Sequence, residues 1–493
     1  MVDTTGDKAL AALLDWLNSF PGFHNKGVLK FANHGGRGLF VDQAVQPSEN
    51  LLVIPAASLL NPLTLQKSTL NTIPAELFPV AASTSSPPRR SSNGTPRLTT
   101  TQLLTLHNAL TRDPKQRHKS EWQVFMDSLP GFRPWHPLTW VIPSSDDDEQ
   151  DEWWIQLYET LSESVKIKIA EVKKRYEDDR VVVRNVLANE EPFRSQGIDK
   201  ELSDEVILWA WLNVNTRTVS MPLGLAEPID AKWPVNNHSF IPLLDMINHS
   251  SLSSVVCPKP EPLPSSSVSK RVIKTARGPG RQLNAHLIPG KIDQAVFAPL
   301  RGLEAGEEVM FMYGPHSNAL LFAEYGFTEV DDTSDPLQWP NGDIDVSPWV
   351  YKLWEDGGGT DEKRDVLDDA GLWGHNKLLS NSGEPQPSIG LMSTLCVLYS
   401  SLESNITVDT LRTRTFSRTT KMAARRALAR ICEAVLSDAA DVREDLEEIA
   451  PLAGDDAAKR QAVRTSRALL REEEHIAKGV LELVEKGGSI PSF

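Results

Sequence analysis

The 493-residue chain has only three cysteines, Cys257, Cys396 and Cys432, and no two of them form a C-x-x-C. That scarcity excludes a zinc ribbon by local spacing and fits a reducing compartment. Basic charge is also in short supply. Fifty-one Lys and Arg face 66 Asp and Glu, giving a formal net charge of −15 and a pI near 5.3. A molecule of that sign has no electrostatic attraction for nucleic acid, and a basic protein substrate suits it better. Long apolar runs are missing as well, and none approaches the ~20 residues needed to span a bilayer. The opening "MVDTTGDKALAALL" carries acids where a secretory or transit leader carries bases, so the expected location is cytoplasm, nucleus or both, with no membrane partner. No strand–glycine–helix unit with G-x-G-x-x-G spacing appears, which excludes a Rossmann-type turn.

What is present is the composition of a soluble globular protein, 40% hydrophobic and 24% charged, in a chain long enough for two or three domains. Leu10, Leu13, Leu14, Leu17 and Phe20 recur at helical spacing until Pro21-Gly22 stops the run. "GGRGLFVDQAV" and "NLLVIP" then read as a glycine turn followed by short strands. "STSSPPRRSSNGTP", Ser83 to Pro96, reads as a mobile insertion, and "SSDDDEQDE", Ser144 to Glu152, as a loop. Glu159 to Arg175 and Ser203 to Asn213 read as helical. From Phe240 to Phe327 short strands and turns return, interrupted by an insert from Pro258 to Arg281 with Lys270, Arg271, Lys274, Arg277 and Arg281. From about Asp361 onward the chain reads as nearly all helix. There Leu428, Ile431 and Val435 keep one apolar face, and Lys421, Arg425, Arg426 and Arg430 are available for others.

Four segments have chemical character. "GGRG", Gly35 to Gly38, lets backbone groups approach a ligand closely, although any tight turn uses glycine in the same way. "NVNTRTVSMP" places Thr216 and Arg217 after a helix, where an arginine is more often solvated or salt-bridged than a ligand contact. "FIPLLDMINHS", Phe240 to Ser250, runs an apolar stretch straight into polar side chains, which cost free energy near a core unless each finds a partner. A buried pair that merely ties down a loop is the plainer account of that segment. "GEEVMFMYGPHSNALLFAEYGF", Gly306 to Phe327, sets Val309, Phe311 and Tyr313 on one face of a strand that ends in Gly314. A lone strand tyrosine is usually a core residue.

Together, and in this sequence along the chain, the four resemble the SET-domain protein methyltransferases of the branch typified by Rubisco large-subunit lysine methyltransferase. SET-domain protein 4 and the ribosomal-lysine methyltransferases belong to the same branch. The family's G-x-G stretch is matched by Gly36-Arg37-Gly38, and its N-H-S motif by Asn248-His249-Ser250 after "DMI". Its GEE…YG strand is matched by Gly306-Glu307-Glu308 through Tyr313-Gly314, and its W…VN[ST]R helix end by "WAWLNVNTR", with Thr216 where Ser is common. "EWQVFMDSLPGF", Glu121 to Phe132, resembles a further block of the branch.

The resemblance implies an α+β fold. A β-rich SET domain with a pseudoknot would occupy residues 1–345, its core strands at about 27–60 and 235–330 split by a helical insertion at about 61–234. An all-α substrate-binding domain would occupy 346–493. It also implies S-adenosyl-L-methionine as cofactor, bound by Gly36, Arg37, Gly38, Thr216, Arg217, Asn248, His249, Tyr313 and Phe327. Asp245 and Tyr325 would line a lysine pocket, Tyr313 would serve catalysis, and no metal is implied. The implied activity is protein-lysine N-methylation of a substrate such as a ribosomal protein or a histone, by a monomer that touches no nucleic acid directly. Histidine methylation, or a silent SET fold acting as a binding module, are the alternatives. A silent relative would commonly lose the NHS or YG elements, and both are intact.

Overall fold

The computed structural model describes residues 4–31, 37–81, 97–115, 117–142, 152–221, 223–226, 237–251, 256–261, 294–299, 301–329, 341–381, 383–401 and 406–487. They fall into two compact units, one of residues 1–132, 144–148 and 174–315, the other of 133–143, 149–173 and 316–493. Among the described residues no helix is long and apolar enough to cross a membrane.

The first unit combines helices with several small sheets. His24–Asn25, Leu52–Pro55, Gln294–Pro299 and Val256–Glu261 form a four-stranded antiparallel sheet in that spatial order. Leu52–Pro55 is apolar throughout and wholly buried, as befits a strand covered on both faces. Gly27–Phe31 and Arg37–Val41 pair as an antiparallel hairpin, and Thr218–Ser220 pairs with His238–Phe240. Helix Asp204–Arg217 packs on helix Thr100–Thr111, and Leu103, Leu106, Leu208 and Trp211 on the two helices are all buried. Ser203 caps the first of these by accepting from the Val206 N–H, and Thr99 caps the second in a reciprocal box with Gln102. Arg217 is therefore the last helical residue, and the chain leaves it as a strand.

The second unit packs two long helices, Arg418–Ile449 and Ala457–Glu485, against each other. Leu428, Ile431 and Val435 are buried on the face expected, whereas Arg426 and Arg430 are exposed. Helix Ile389–Leu398 lies in the same core and has no polar face, every residue from Gly390 onward being buried. The helical expectation for this region needs one correction. Asn341–Asp345, Lys377–Asn381 and Glu384–Pro387 form a three-stranded antiparallel sheet. Its middle strand, "KLLSN", alternates buried Leu378 and Ser380 with less buried neighbours, a period of two that is too short to stand out among helices.

Other boundaries shift. The region from Glu159 to Arg175 is broken: one helix ends at Glu159 and the next runs Glu163–Asn189, with Ser162 Oγ accepting from the Val165 N–H at the new start. The insert expected from Pro258 begins inside a strand, because Val256–Glu261 pairs along its whole length with Gln294–Pro299. Residues 262–293, Ser83 to Pro96 and 143–151 lie outside the described residues, and Glu152 already begins a helix.

Candidate functional site

Three backbone segments of the first unit converge. Asn248–His249 pairs parallel with Met310–Phe311, so Asn248 stands opposite Met310 and His249 opposite Phe311. The stretch before Met310 is stitched to the hairpin strand: the Val309 N–H donates to the Leu39 carbonyl at 2.7 Å and the Val41 N–H to the Glu307 carbonyl at 3.0 Å. Phe40 and Glu308 bridge antiparallel. Arg37–Val41, Asn248–His249 and the stretch from Glu307 to Phe311, with separations of 211 residues between Arg37 and Asn248 and 60 between Asn248 and Glu308, thus share one set of hydrogen bonds.

Gly38 sits at the centre. A Cβ there would lie 2.3 Å from Glu308 Oε1 and 3.0 Å from Asn248 Nδ2, so no side chain fits without moving both. Asn248 Nδ2 donates to Glu308 Oε1 at 2.7 Å and to the Arg37 carbonyl at 3.2 Å. Arg37 itself donates from Nη2 to the Ser128 carbonyl at 3.2 Å. That contact gives the block around Glu121 to Phe132 a physical role that its sequence does not reveal.

His249 is buried and holds the next element in place. Its Nδ1 accepts from the Tyr313 N–H at 3.0 Å, which puts the ring proton on Nε2, 3.2 Å from Ser251 Oγ. The Tyr313 ring lies 5.1 Å from the imidazole, and its hydroxyl donates to the Ile247 carbonyl at 2.8 Å. Burial pushes the Tyr313 phenol up to about 12, with Arg217 drawing it down and Asp245 and Glu308 pushing it up. The phenol is neutral at physiological pH. Having given its proton to Ile247, it offers only oxygen lone pairs to anything else.

Asp245 is the least satisfied group nearby. Its carboxylate has no solvent exposure, and among the described residues neither oxygen meets a hydrogen-bond donor. Arg217 Nη1 approaches Oδ2 to 3.5 Å, while its 2.6 Å bond goes to the Asp245 carbonyl instead. Burial raises the Asp245 carboxyl to about 6, against the pull of Arg217 and Arg37. The preceding turn is unusual too. Leu243, fully buried, has φ 71°, a conformation that a non-glycine residue adopts at a cost and that clusters at functional sites. An acceptor pair aimed into a dry place, beside a glycine cradle, suits a ligand that carries donors or positive charge.

Of the residues expected from the sequence, the first unit brings together Arg37, Gly38, Arg217, Asp245, Asn248, His249 and Tyr313. Thr216 is adjacent, but its hydroxyl donates to the Leu212 carbonyl of its own helix at 2.8 Å. Gly36 lies outside the described residues. Tyr325 and Phe327 stand in the second unit, their rings 6.0 Å apart, and the His316 ring lies 6.3 Å from that of Tyr325. Gly326 between them has φ 82° and would press a Cβ against the Trp135 carbonyl at 2.9 Å. The His136 ring meets the Glu324 carbonyl at 3.0 Å, so "PWH" and "EYGF" are locked together within that unit. Sequence reasoning missed Glu308 as a site residue. Its place follows only from the strand register: it lies two positions before Met310, hence on the same strand face as the partner of Asn248.

No family model matches the chain. SET domain-containing protein 4 of Homo sapiens is 24% identical over 295 residues, 60% of this chain and 52% of that protein. The Mus musculus protein of the same name is 23% identical over 295 residues, 60% of this chain and 53% of its own length. The chain therefore spans about half the length of the curated relatives it matches. Among solved structures, the SET domain of LSMT bound to lysine and AdoHcy superposes with a TM-score of 0.56 at 16% identity, covering 97% of this chain and 91% of that one. The same domain bound to MeLysine and AdoHcy gives 0.57 with equal coverage and identity. Rubisco LSMT bound to AdoMet gives 0.55 at 15% identity over 97% and 92% of the two chains. The chain is accordingly an α+β protein with the SET-domain fold of Rubisco LSMT, similar in sequence to SET domain-containing protein 4.

Proposed function

We propose that the chain is an S-adenosylmethionine-dependent protein-lysine N-methyltransferase. The observation that carries this reading is the three-segment convergence in which Gly38, Asn248, His249 and Tyr313 share one hydrogen-bond set, with the buried Asp245 carboxylate beside it met only by Arg217 at 3.5 Å among the described residues. The neighbours bound to AdoMet, AdoHcy and lysine support it, because their fold is the one that this chain adopts.

S-adenosylmethionine supplies a sulfonium methyl: the substrate nitrogen forms the new N–CH3 bond, the S–CH3 bond breaks, and sulfur keeps the electron pair. The protein's share is binding and alignment. Gly38, Asn248 and His249 form the cofactor side, with Arg37 and Arg217 next to them, and Gly36 is proposed with them. Asp245 would line the lysine pocket. The charge on Asp245 draws in an ammonium group, which gives its proton to solvent before it attacks. A free lysine has a pKa of about 10.4, and a dry pocket lowers that. Tyr313 is not a base, since burial holds its own proton up to about 12. Its lone pairs accept an N–H of the amine and fix the nitrogen in line. Residues 346–493 would hold the protein substrate, and a basic one such as a ribosomal protein or a histone fits a chain of net charge −15.

The test is incubation of the full chain with methyl-labelled S-adenosylmethionine and a lysate, followed by mass spectrometric location of the label. Label on lysine is expected; label on histidine, or none, would sink this reading. Tyr313→Phe should lower turnover by about tenfold to a hundredfold while changing cofactor affinity less than about threefold. A variant with unaltered turnover would remove Tyr313 from the chemistry.

A further inference from the structure

A carboxamide has a donor end and an acceptor end, and the end that faces a ligand decides what it binds. At Asn248 the protein settles that choice. Its amide nitrogen lies 2.7 Å from Glu308 Oε1 and 3.2 Å from the Arg37 carbonyl oxygen. A carboxylate and a carbonyl can only accept, so the NH2 end must face them. Turning the amide over would set its oxygen against two oxygens. Both amide protons are consumed by these bonds, and among the described residues no donor meets Oδ1.

The backbone explains how Glu308 reaches that place. Met310 stands opposite Asn248 in the parallel pair, and Glu308, two residues earlier, projects from the same face. The bridge to Phe40 holds Glu308 against the hairpin strand, and Gly38 leaves the space that the carboxylate fills. Glu308 adjoins the proposed machinery without belonging to it.

We infer that Glu308 is a positioning residue: it pins the Asn248 carboxamide with Oδ1 outward, so that the site presents an acceptor to the ammonium group of the cofactor's amino-acid tail. This rests on the cofactor reading above. The adenosine part of the cofactor does not depend on the arrangement, because the pinned atom is a single acceptor suited to a cationic donor.

The experiment is calorimetry on the full chain with two probes, S-adenosylmethionine and 5′-methylthioadenosine, which keeps the adenosine but has no amino-acid tail. Glu308→Leu frees the amide to turn over. It should weaken S-adenosylmethionine binding by about tenfold and leave 5′-methylthioadenosine within about twofold. Asn248→Asp sets a carboxylate against Glu308 and should weaken S-adenosylmethionine by about a hundredfold. Adding Glu308→Gln to that variant supplies a donor for the introduced carboxylate and should recover at least about tenfold. A merely structural Glu308 would weaken both probes equally, and that result would overturn the inference. So would Glu308→Leu binding S-adenosylmethionine as the wild type does, or a double variant no better than Asn248→Asp alone. If Glu308→Leu fails to fold by circular dichroism, the reciprocal pair decides by itself. A wild-type chain that binds neither probe would instead overturn the cofactor reading, and this inference with it.

Discussion

Asp245 in the first unit and Glu472 in the second are both carboxylates shut away from solvent, with side-chain exposure of 0% and residue exposure of 2%. Their surroundings differ in kind. Glu472 Oε1 accepts from Asn318 Nδ2 at 3.0 Å, and its neighbour Glu473 accepts from Ser162 Oγ at 2.7 Å. Asp343 Oδ2, close by, takes Lys377 Nζ at 2.6 Å and Lys168 Nζ at 3.4 Å. Every carboxylate of that cluster has a donor from its own unit. Among the described residues Asp245 has no hydrogen-bond donor on either oxygen, only the Arg217 ion pair at 3.5 Å. Buried carboxyl groups that the chain itself has satisfied belong to architecture, whereas buried acceptors that it leaves open await something else.

The largest effect should come from breaking the satisfied cluster. Burial pushes the Asp343 carboxyl up, yet Lys168 and Lys377 together outweigh it and hold it below the ordinary carboxylate range. Lys168 is only 6% exposed, so Lys168→Met leaves that charge half compensated in a dry place. Urea denaturation should show a loss of about 4 kcal/mol, with the affinity for S-adenosylmethionine unchanged. A loss of affinity without a loss of stability would mean that the cluster is a site. Gly38→Ala is the converse. Its Cβ meets Glu308 and Asn248, which are already bonded to each other, so binding should weaken by about a hundredfold, or about 2.7 kcal/mol. Near-native affinity would show that the cradle has slack.

The cluster should also carry a pH signature at higher pH than that of Asp245, whose carboxyl is raised only to about 6. Burial raises Glu472 to about 8 and Glu473 to about 7, from the 4.5 of a free glutamate. The folded state therefore keeps protons that the unfolded chain releases above about pH 4.5. That stabilisation is complete below this pH and is lost as pH rises through about 7 and then about 8. The thermal midpoint should fall by several degrees between about pH 6 and about pH 9, and Glu472→Gln should flatten the slope. An unchanged slope in that variant would move the titration elsewhere.

The comparison also marks what the sequence could reveal. Asn248, His249 and Tyr313 were legible because contiguous motifs carry them, and helix Asp204–Arg217 because Ser203 announces its start. Glu308 was not, since its role depends on a strand register that no local pattern encodes. Nor could the Ser128 carbonyl be foreseen as the partner of Arg37, because a backbone acceptor carries no side-chain identity. The strand Lys377–Asn381 was lost among helices for want of length. Lys168, Asp343 and Glu472 read singly as surface charges, and only the tertiary fold brings them together inside.

The smallest effect tests the comparison at its edge, where a residue expected at the ligand has its polar group already occupied. Thr216 corresponds by resemblance to a cofactor-side serine, yet its Oγ1 donates to the Leu212 carbonyl, four residues back in the same helix, at 2.8 Å. Such a bond satisfies a hydroxyl within its own helix and adds little to stability. Thr218 does the same two residues further on, donating to the Val214 carbonyl at 2.7 Å, so the pattern belongs to the helix end and not to a site. By the rule that separates Asp245 from Glu472, Thr216 falls on the structural side. Thr216→Val keeps the shape and β-branching while deleting the hydroxyl. It should change S-adenosylmethionine affinity by less than about twofold and stability by less than about 0.5 kcal/mol. The control is Arg217→Lys next to it, which loses the 2.6 Å bond to the Asp245 carbonyl and should weaken binding more than the threonine change does. A tenfold loss of affinity in Thr216→Val, with stability intact, would show that the hydroxyl turns from Leu212 to the ligand, and that an occupied group in the free protein can still be a binding group.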